Sequence, residues 1–520
     1  MNIPALTDPA SLKRAKQFDL FVLILVLLLI FILAARTPLD SDMWWHLRAG
    51  QETVQTGRPM LADNLSTTRF GAAWINHSWL SEVGMYLLYR WGGSLAIGAI
   101  TAMLAVLSML LLYFTLEGPA LLRAFLLILG AMVAAVVWAP RPELVSLVLM
   151  ALVGYLLYCY KWKGVDRLWL LPLVFILWAN LHGGYPLGFM LIGCMVAGEL
   201  VNYLLGPGGG DRVLNRKQVL RLMFWGGISA VALVINANGL NIYLIPFQTV
   251  GVKVLQNFVA EWASPDFHQL FQQPFIWLML ALLASIGLSG KRLDGTDLLG
   301  ISLFTYLTLV ARRNYGPFAL VAVPVLSRHL WAALQAWYQR EPVIGWRNRL
   351  GLDRLATGET TDAPVKSASF APIRPAVQKA INLALVAFVA FAAIGKLYVT
   401  SNPILVDSYL NSSYPVKAID WIRTERPAGP MLNEYNWGGY LIWFLREYPV
   451  FVDGRTDLYG DEVLGQWITV IQAGKGWQAI LDKWKIKLIL IEPGRPLAVA
   501  LPLAGWKLAY QDDQALIFTR

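Results

Sequence analysis

The sequence predicts a polytopic α-helical membrane protein of about 11 transmembrane helices followed by a small C-terminal α/β domain. Three observations lead there. Apolar runs of near-bilayer length recur through the first 400 residues, charge is scarce among them, and the remainder returns to short alternating elements. The chain is 57% hydrophobic and 15% charged, whereas a soluble chain carries about a quarter charged residues. Its formal net charge of +10 reads as topology, because Lys and Arg gather in the cytoplasmic loops of membrane proteins. No nucleic-acid partner is expected. Cys159 and Cys194 both lie inside apolar runs and read as packed small hydrophobes, not as a disulfide framework.

The first element is FDLFVLILVLLLIFILAA, preceded by Lys13, Arg14 and Lys16. It exceeds the ~7–15 apolar residues of a signal peptide, so it is expected to remain as the first span. Further runs lie at 94–116, 120–138, 142–160, 168–181, 186–204, 220–236, 274–289, 297–311, 316–334 and 380–398. With the N-terminus in the cytoplasm, the inner segments hold roughly twice as many Lys and Arg as the outer ones. That orientation and an odd number of spans put the C-terminal domain outside.

Residues 1–399 are therefore expected as a membrane domain with a long first outer loop at 36–93. Within that loop SWLSEVGMYLLYRWGG reads as an interfacial amphipathic helix. The polar, aperiodic segment within 335–379 reads as a cytoplasmic linker. In the outer domain, 400–520, YPVKAIDWIRTE and VLGQWITVIQAGKGWQAILDKW read as helices. PMLNEY, YPVFVDG, KIKLILIE, KLAYQD and ALIFTR read as strands.

Chemistry-bearing residues collect on the outer side. LDSDMWWHLRAGQ follows the first span, with Asp40, Asp42 and His46 beside Trp44 and Trp45. Solvated acids beside an interfacial tryptophan anchor are the plain reading of it. Carboxylates near a membrane plane are costly unless they face a wet cavity or a partner, and Asn76, His77 and Glu82 follow in the same loop. Such carboxylates could act as a base, or hold a divalent cation (Mg or Mn) at Asp40 and Asp42, which the motif does not require. Trp44 and Trp45 read as interfacial, with one or the other turned inward as a candidate sugar contact.

Polar patches recur at other outer helix ends: Arg141 and Glu143 in APRPE, His182 in ANLHGGYP, the asparagines of INANGLN, and Arg312 and Arg313 in ARRNYGP. Two outer arginines run against the charge rule. Arginine binds phosphate in a fork, so a lipid-linked phosphate or phospholipid head group is their expected partner. They should face Asp40 or Asp42 across an outer cavity. Asp453, Arg455 and Asp457 follow the predicted strand YPVFV, where sites form in α/β domains, although DGRTD serves equally well as a turn.

The chain resembles the GT-C superfamily of integral-membrane glycosyltransferases, which includes oligosaccharyltransferases, protein O-mannosyltransferases and aminoarabinose transferases. The resemblance lies in the many spans with a long first outer loop, in the acidic pair Asp40 and Asp42 just after span one, and in the C-terminal outer domain. NWGGYLIW followed by VFVDGRTD is similar to the oligosaccharyltransferase stretch that begins Trp-Trp-Asp-Tyr-Gly. Asn436, Trp437, Gly438, Gly439 and Tyr440 stand in its place. The Trp-Trp-Asp part is not intact, which counts against asparagine-linked peptide glycosylation. The whole pattern also looks like that of bacterial GT-C-like proteins.

The resemblance implies a sugar donor on polyprenyl phosphate or diphosphate, and an acceptor lipid, glycan or protein. It implies Asp42, with Asp40 as alternative, as the base on an acceptor hydroxyl. Arg312 and Arg313 would stabilise the leaving phosphate, and inversion would follow at the anomeric carbon. Weaker substrate contacts are expected from His46, Trp45, His77, Glu82, His182, Asp453, Arg455 and Asp457. The alternatives are an inactive GT-C-fold scaffold or subunit of a larger membrane assembly, and a transporter. A transporter should carry paired charges at mid-span.

Overall fold

Each predicted apolar run forms a helix in the computed structural model, which describes residues 9–206, 212–252, 259–339 and 374–520. In chain order these are α1 (Pro9–Ala34), α2 (Met43–Thr56), α3 (Trp79–Tyr113), α4 (Ala120–Ala134), α5 (Glu143–Tyr158), α6 (Leu171–Leu181) and α7 (Pro186–Leu205). There follow α8 (Arg216–Ala232), α9 (Ile245–Gly251), α10 (Gln273–Leu288), α11 (Gly295–Val310), α12 (Tyr315–Tyr338) and α13 (Pro375–Thr400). Among the described residues, eight helices are long and apolar enough to cross a bilayer, so this is an integral membrane protein. The eleven predicted crossings are thus eight full-length helices and three shorter ones. The latter are α6, α8 and α11, of 11, 17 and 16 residues, against the ~20 that span a hydrocarbon core. Most of the predicted linker lies outside the described residues.

Asp42 precedes α2, Arg141 precedes α5, His182 follows α6 and Arg313 precedes α12, and these helix ends meet in one cavity. At the opposite ends Lys161 lies 2.5 Å from Glu199 and 2.7 Å from Asp294 in a buried ion cluster. The predicted interfacial helix appears as the first part of α3. It is separated from the spanning part by Gly92 and Gly93, whose backbone leaves the helical region (Gly93 φ +55°, ψ −143°). A residue with Cβ adopts that conformation at a cost, so glycine marks the break.

After α13 come α14 (Pro403–Ser413), α15 (Val416–Glu425), α16 (Gly438–Phe444), α17 (Thr456–Ile471), α18 (Trp477–Lys483) and α19 (Pro496–Leu503). Four strands, β1 (Met431–Asn433), β2 (Leu488–Ile491), β3 (Lys507–Gln511) and β4 (Leu516–Thr519), form a mixed sheet in the order β1-β2-β4-β3. Only β1 and β2 pair in parallel. YPVFVDG, predicted as a strand, stays out of this sheet. Its Phe451 N–H donates to the Asn433 side chain at 2.7 Å. Its Val450 bridges to Ser66 of the first loop, with Thr67 N–H donating to Val450 O at 2.8 Å.

That bridge ties the first loop to the C-terminal domain, and one apolar core serves both. Trp44, Trp45 and Leu47 of α2 pack with Tyr440, Leu441 and Val450. The two tryptophans are therefore not interfacial anchors. Trp44 is 1% exposed and Trp45 7%. Trp44 sits edge-on to Tyr440 and Phe444, with ring centroids 5.5 and 5.1 Å away. A polar loop of this length has too little apolar surface to hold itself, and burying two indoles against the later domain supplies it.

Candidate active site

Arg141 organises the acids. It stands in PRPE between α4 and α5, at the same membrane face as the end of α1. Its Nε and Nη2 donate to Asp40 Oδ1 and Oδ2 at 2.6 and 2.8 Å, a two-pronged pair. Its Nη1 lies 3.0 Å from Asp42 Oδ2 and 2.6 Å from Glu261 Oε1. Asp40 Oδ1 also accepts the Asp42 backbone N–H at 2.8 Å, which fixes the Asp-Ser-Asp turn. Three carboxylates thus meet one guanidinium. The expected basic counterpart, Arg312 with Arg313, is not their ion-pair partner. Arg313 bonds Glu143 at 3.1 Å and lies over the Trp262 ring at 4.5 Å, while Arg312 makes no side-chain ion pair among the described residues.

Asp42, Arg312 and Arg313 nevertheless line a single cavity of about 500 Å³. Its wall also includes Trp45, His46, His77, His182, Arg455 and Asp457. Asp40, Glu82 and Asp453 stand behind the wall. Glu82, fully buried, has Oε1 3.0 Å from His46 Nδ1 and accepts from Asn76 at 2.7 Å. Asp453 accepts from Arg455 Nε and Nη2 at 2.9 and 2.7 Å and from the Tyr459 hydroxyl at 2.6 Å. Arg455 reaches Asp63 of the first loop at 2.7 Å. Each of these acids holds a residue of the wall: Asp40 binds Arg141, Glu82 binds His46 and Asp453 binds Arg455.

Burial pushes the Asp42 carboxyl up to about 7. Arg141 pulls it down, and Asp40 and Glu261 push it further up. His46 is held well below its usual range by burial and by Arg141. The site therefore contains a carboxyl poised near neutrality, in a cavity that Arg312 and Arg313 also line. A divalent cation shared by Asp40 and Asp42 would have to take the place of the Arg141 guanidinium. The donor set as arranged does not fit one.

Gly454 explains why DGR is spelled with glycine. A Cβ there would overlap the Asp42 carboxylate. Gly454→Ala is expected to cost about 1–3 kcal/mol through overpacking and to push Asp42 off Arg141. A lowered thermal midpoint and an altered Asp42 titration would register it, whereas an unchanged titration would refute the close contact.

Arg141 and Glu261 are the residues that sequence reasoning left out of the site. Arg141 carried a usable signal, since it too is an outer arginine at a helix end, like those of ARRN. Glu261, in FVAEWASP, carried none.

The fold is GT-C-like. The oligosaccharyltransferase AglB from Archaeoglobus fulgidus, solved with an inhibitory peptide and a dolichol-phosphate, superposes with TM-score 0.53 at 13% identity, over 92% of this chain and 69% of that one. An oligosaccharyltransferase of the same organism, tethered to an acceptor peptide, gives 0.54 at 15% identity, over 91% and 69%. ArnT from Cupriavidus metallidurans, bound to undecaprenyl phosphate, gives 0.47 at 14% identity, over 97% and 98%. No protein-family model matches the sequence, and no curated protein matches it in sequence.

Proposed function

We propose that this protein is a membrane glycosyltransferase. It moves a sugar from a polyprenyl-phosphate or -diphosphate donor to a hydroxyl of an acceptor lipid, glycan or protein. The face used carries the C-terminal domain and is taken as extracytoplasmic, with the N-terminus in the cytoplasm of a bacterium. The observation that carries this reading is the one cavity lined by Asp42, whose carboxyl is pushed up to about 7, and by Arg312 and Arg313. Support comes from the likeness of fold to AglB, a structure that holds a dolichol-phosphate.

In the proposed step, Asp42 takes the acceptor hydroxyl proton as that oxygen attacks the anomeric carbon. The bond from the anomeric carbon to the phosphate oxygen breaks on the opposite side. Its electron pair leaves on the phosphate, whose charge Arg312 and Arg313 stabilise. A phosphate leaving group needs little protonation, so one carboxylate base suffices, and Asp42 later returns its proton to water. Asp40 keeps Arg141 in place. His46, Trp45 and Asp457 line the space left for the sugar.

The test is reconstitution in proteoliposomes with labelled polyprenyl-phosphate sugars, comparing wild type with Asp42→Asn and Asp40→Asn. Turnover surviving in Asp42→Asn would remove the proposed base. No turnover with any donor, together with stable co-purification of other membrane subunits, would replace the transferase by a scaffold. Chelation is expected to leave transfer unchanged. A loss restored by Mg²⁺ or Mn²⁺ would overturn the assignment of Arg141 as the positive charge among the acids.

A further inference from the structure

Two histidines of the cavity have no part in the step above, and their hydrogen bonds constrain what they can do. His77 precedes α3 and His182 follows α6. Their rings stand perpendicular, with centroids 5.3 Å apart. Gly183 N–H donates to His77 Nδ1 and Gly184 N–H to His182 Nδ1, both at 3.1 Å. A ring nitrogen that accepts carries no proton, so a neutral imidazole so held bears its proton on Nε2. With His182 Nδ1 already an acceptor, the Ser146 hydroxyl 2.7 Å away must donate to it. Ser146 Oγ in turn accepts the Trp178 indole N–H at 2.7 Å.

Burial keeps both rings below their ordinary range. His77 also feels Asp457, which raises it, and Arg313, which lowers it; His182 feels His77 and Arg313, which both lower it. With Nδ1 engaged, Nε2–H is the polar group each ring has left for the cavity that both line. A protonated Nε2 has no lone pair for a metal ion. It can only donate.

His182, with His77 beside it, stands where the polar cavity meets an apolar cleft of about 210 Å³. His182, Trp262 and Arg313 belong to both, and beyond them the cleft is lined by Leu144, Leu187 and Met190. A ligand that fills both has an anionic or oxygen-rich head and a hydrocarbon tail.

We infer that His77 and His182 are a paired hydrogen-bond donor for the phosphate of the lipid-linked donor. They hold its non-bridging oxygens through Nε2–H beside Arg313, while the first isoprene units enter the apolar cleft. This rests on the polyprenyl-phosphate reading and adds to it the residues that hold the head group.

The test uses the full-length protein in nanodiscs and undecaprenyl phosphate, which carries no sugar. His77→Ala and His182→Ala are each expected to weaken binding by roughly 10–100-fold, the worth of a hydrogen bond to a charged group. His77→Gln and His182→Gln, whose side-chain N–H can donate from the same place, should bind within about threefold of wild type. On the wild type, ¹⁵N-histidine spectra should show two of the five histidines with protonated Nε2 that shift on adding undecaprenyl phosphate but not undecaprenol. Wild-type binding that survives the double alanine substitution, with unshifted Nε2 signals, would overturn the pair and leave the donor class standing. A wild type that binds no polyprenyl phosphate would overturn both. Should the alanine variants fail to fold, the glutamine variants and the wild-type spectra decide.

Discussion

Asp42→Asn is expected to lower turnover by about 10²–10⁴-fold, the usual contribution of a positioned general base, while leaving undecaprenyl phosphate binding within about threefold. Wild-type kcat/KM should rise with pH through a single limb near 7 and then level off, because the ionised carboxylate is the active form. Stability runs the other way. The Asp42 carboxyl is raised in the folded state from its ordinary 3.8, so the folded protein holds this proton more tightly than the unfolded chain. Its contribution is present below pH ~4, falls as pH rises towards 7, and is constant above. Asp42→Asn removes that loss. The variant should melt higher than wild type at pH 8 relative to pH 5 while being nearly inactive. A variant that is active, or whose melting depends on pH as wild type does, would show that Asp42 is neither the base nor a raised acid.

Arg141→Ala should have the largest effect on stability. It leaves Asp40, Asp42 and Glu261 facing one another with no positive charge between them. Removing one partner of a buried ion pair costs about 3–5 kcal/mol. The lower end applies here, about 3 kcal/mol, because Glu261 is 34% exposed and water screens it. Adding Asp40→Asn should recover part of the loss, since one uncompensated charge goes with it. Arg141→Lys keeps the charge but cannot span Asp40 with a two-pronged bond, so it should be intermediate. Arg141 holds the Asp42 carboxyl down, so its removal should carry the kcat/KM limb of any residual activity above pH 7. An unmoved limb would separate Arg141 from Asp42.

These two arginine and aspartate effects also show what could be read from the sequence. Apolar runs announced the helices of the membrane half other than α2 and α9, because burial in lipid requires them. They counted α6, α8 and α11 as crossings although these helices, of 11, 17 and 16 residues, fall short of a full one. The outer polar patches were visible as single islands, since Asp, His and Arg at the ends of apolar segments need an explanation. Their convergence was not, because it depends on helix packing with no local trace. Charge logic set Asp42 across a cavity from Arg312 and Arg313, and passed over Arg141, the guanidinium in contact with it. YPVFVDG has the composition of a buried strand, but its partners are a side chain of β1 and a loop almost four hundred residues earlier. Trp44 and Trp45 looked interfacial for a similar reason: the surface that covers them is encoded at the other end of the chain.

That separation governs how the molecule can be made. The buried contact between Asp63 and Arg455 joins residues 392 apart in sequence. At about 5–20 residues per second, the ribosome needs roughly 20–80 s to pass from one to the other. During that interval every membrane helix can be inserted, while the first loop waits with Asp63 uncompensated and two indoles without a cover. The corner that Asp63 and Arg455 join is thus completed only after the membrane helices have been made.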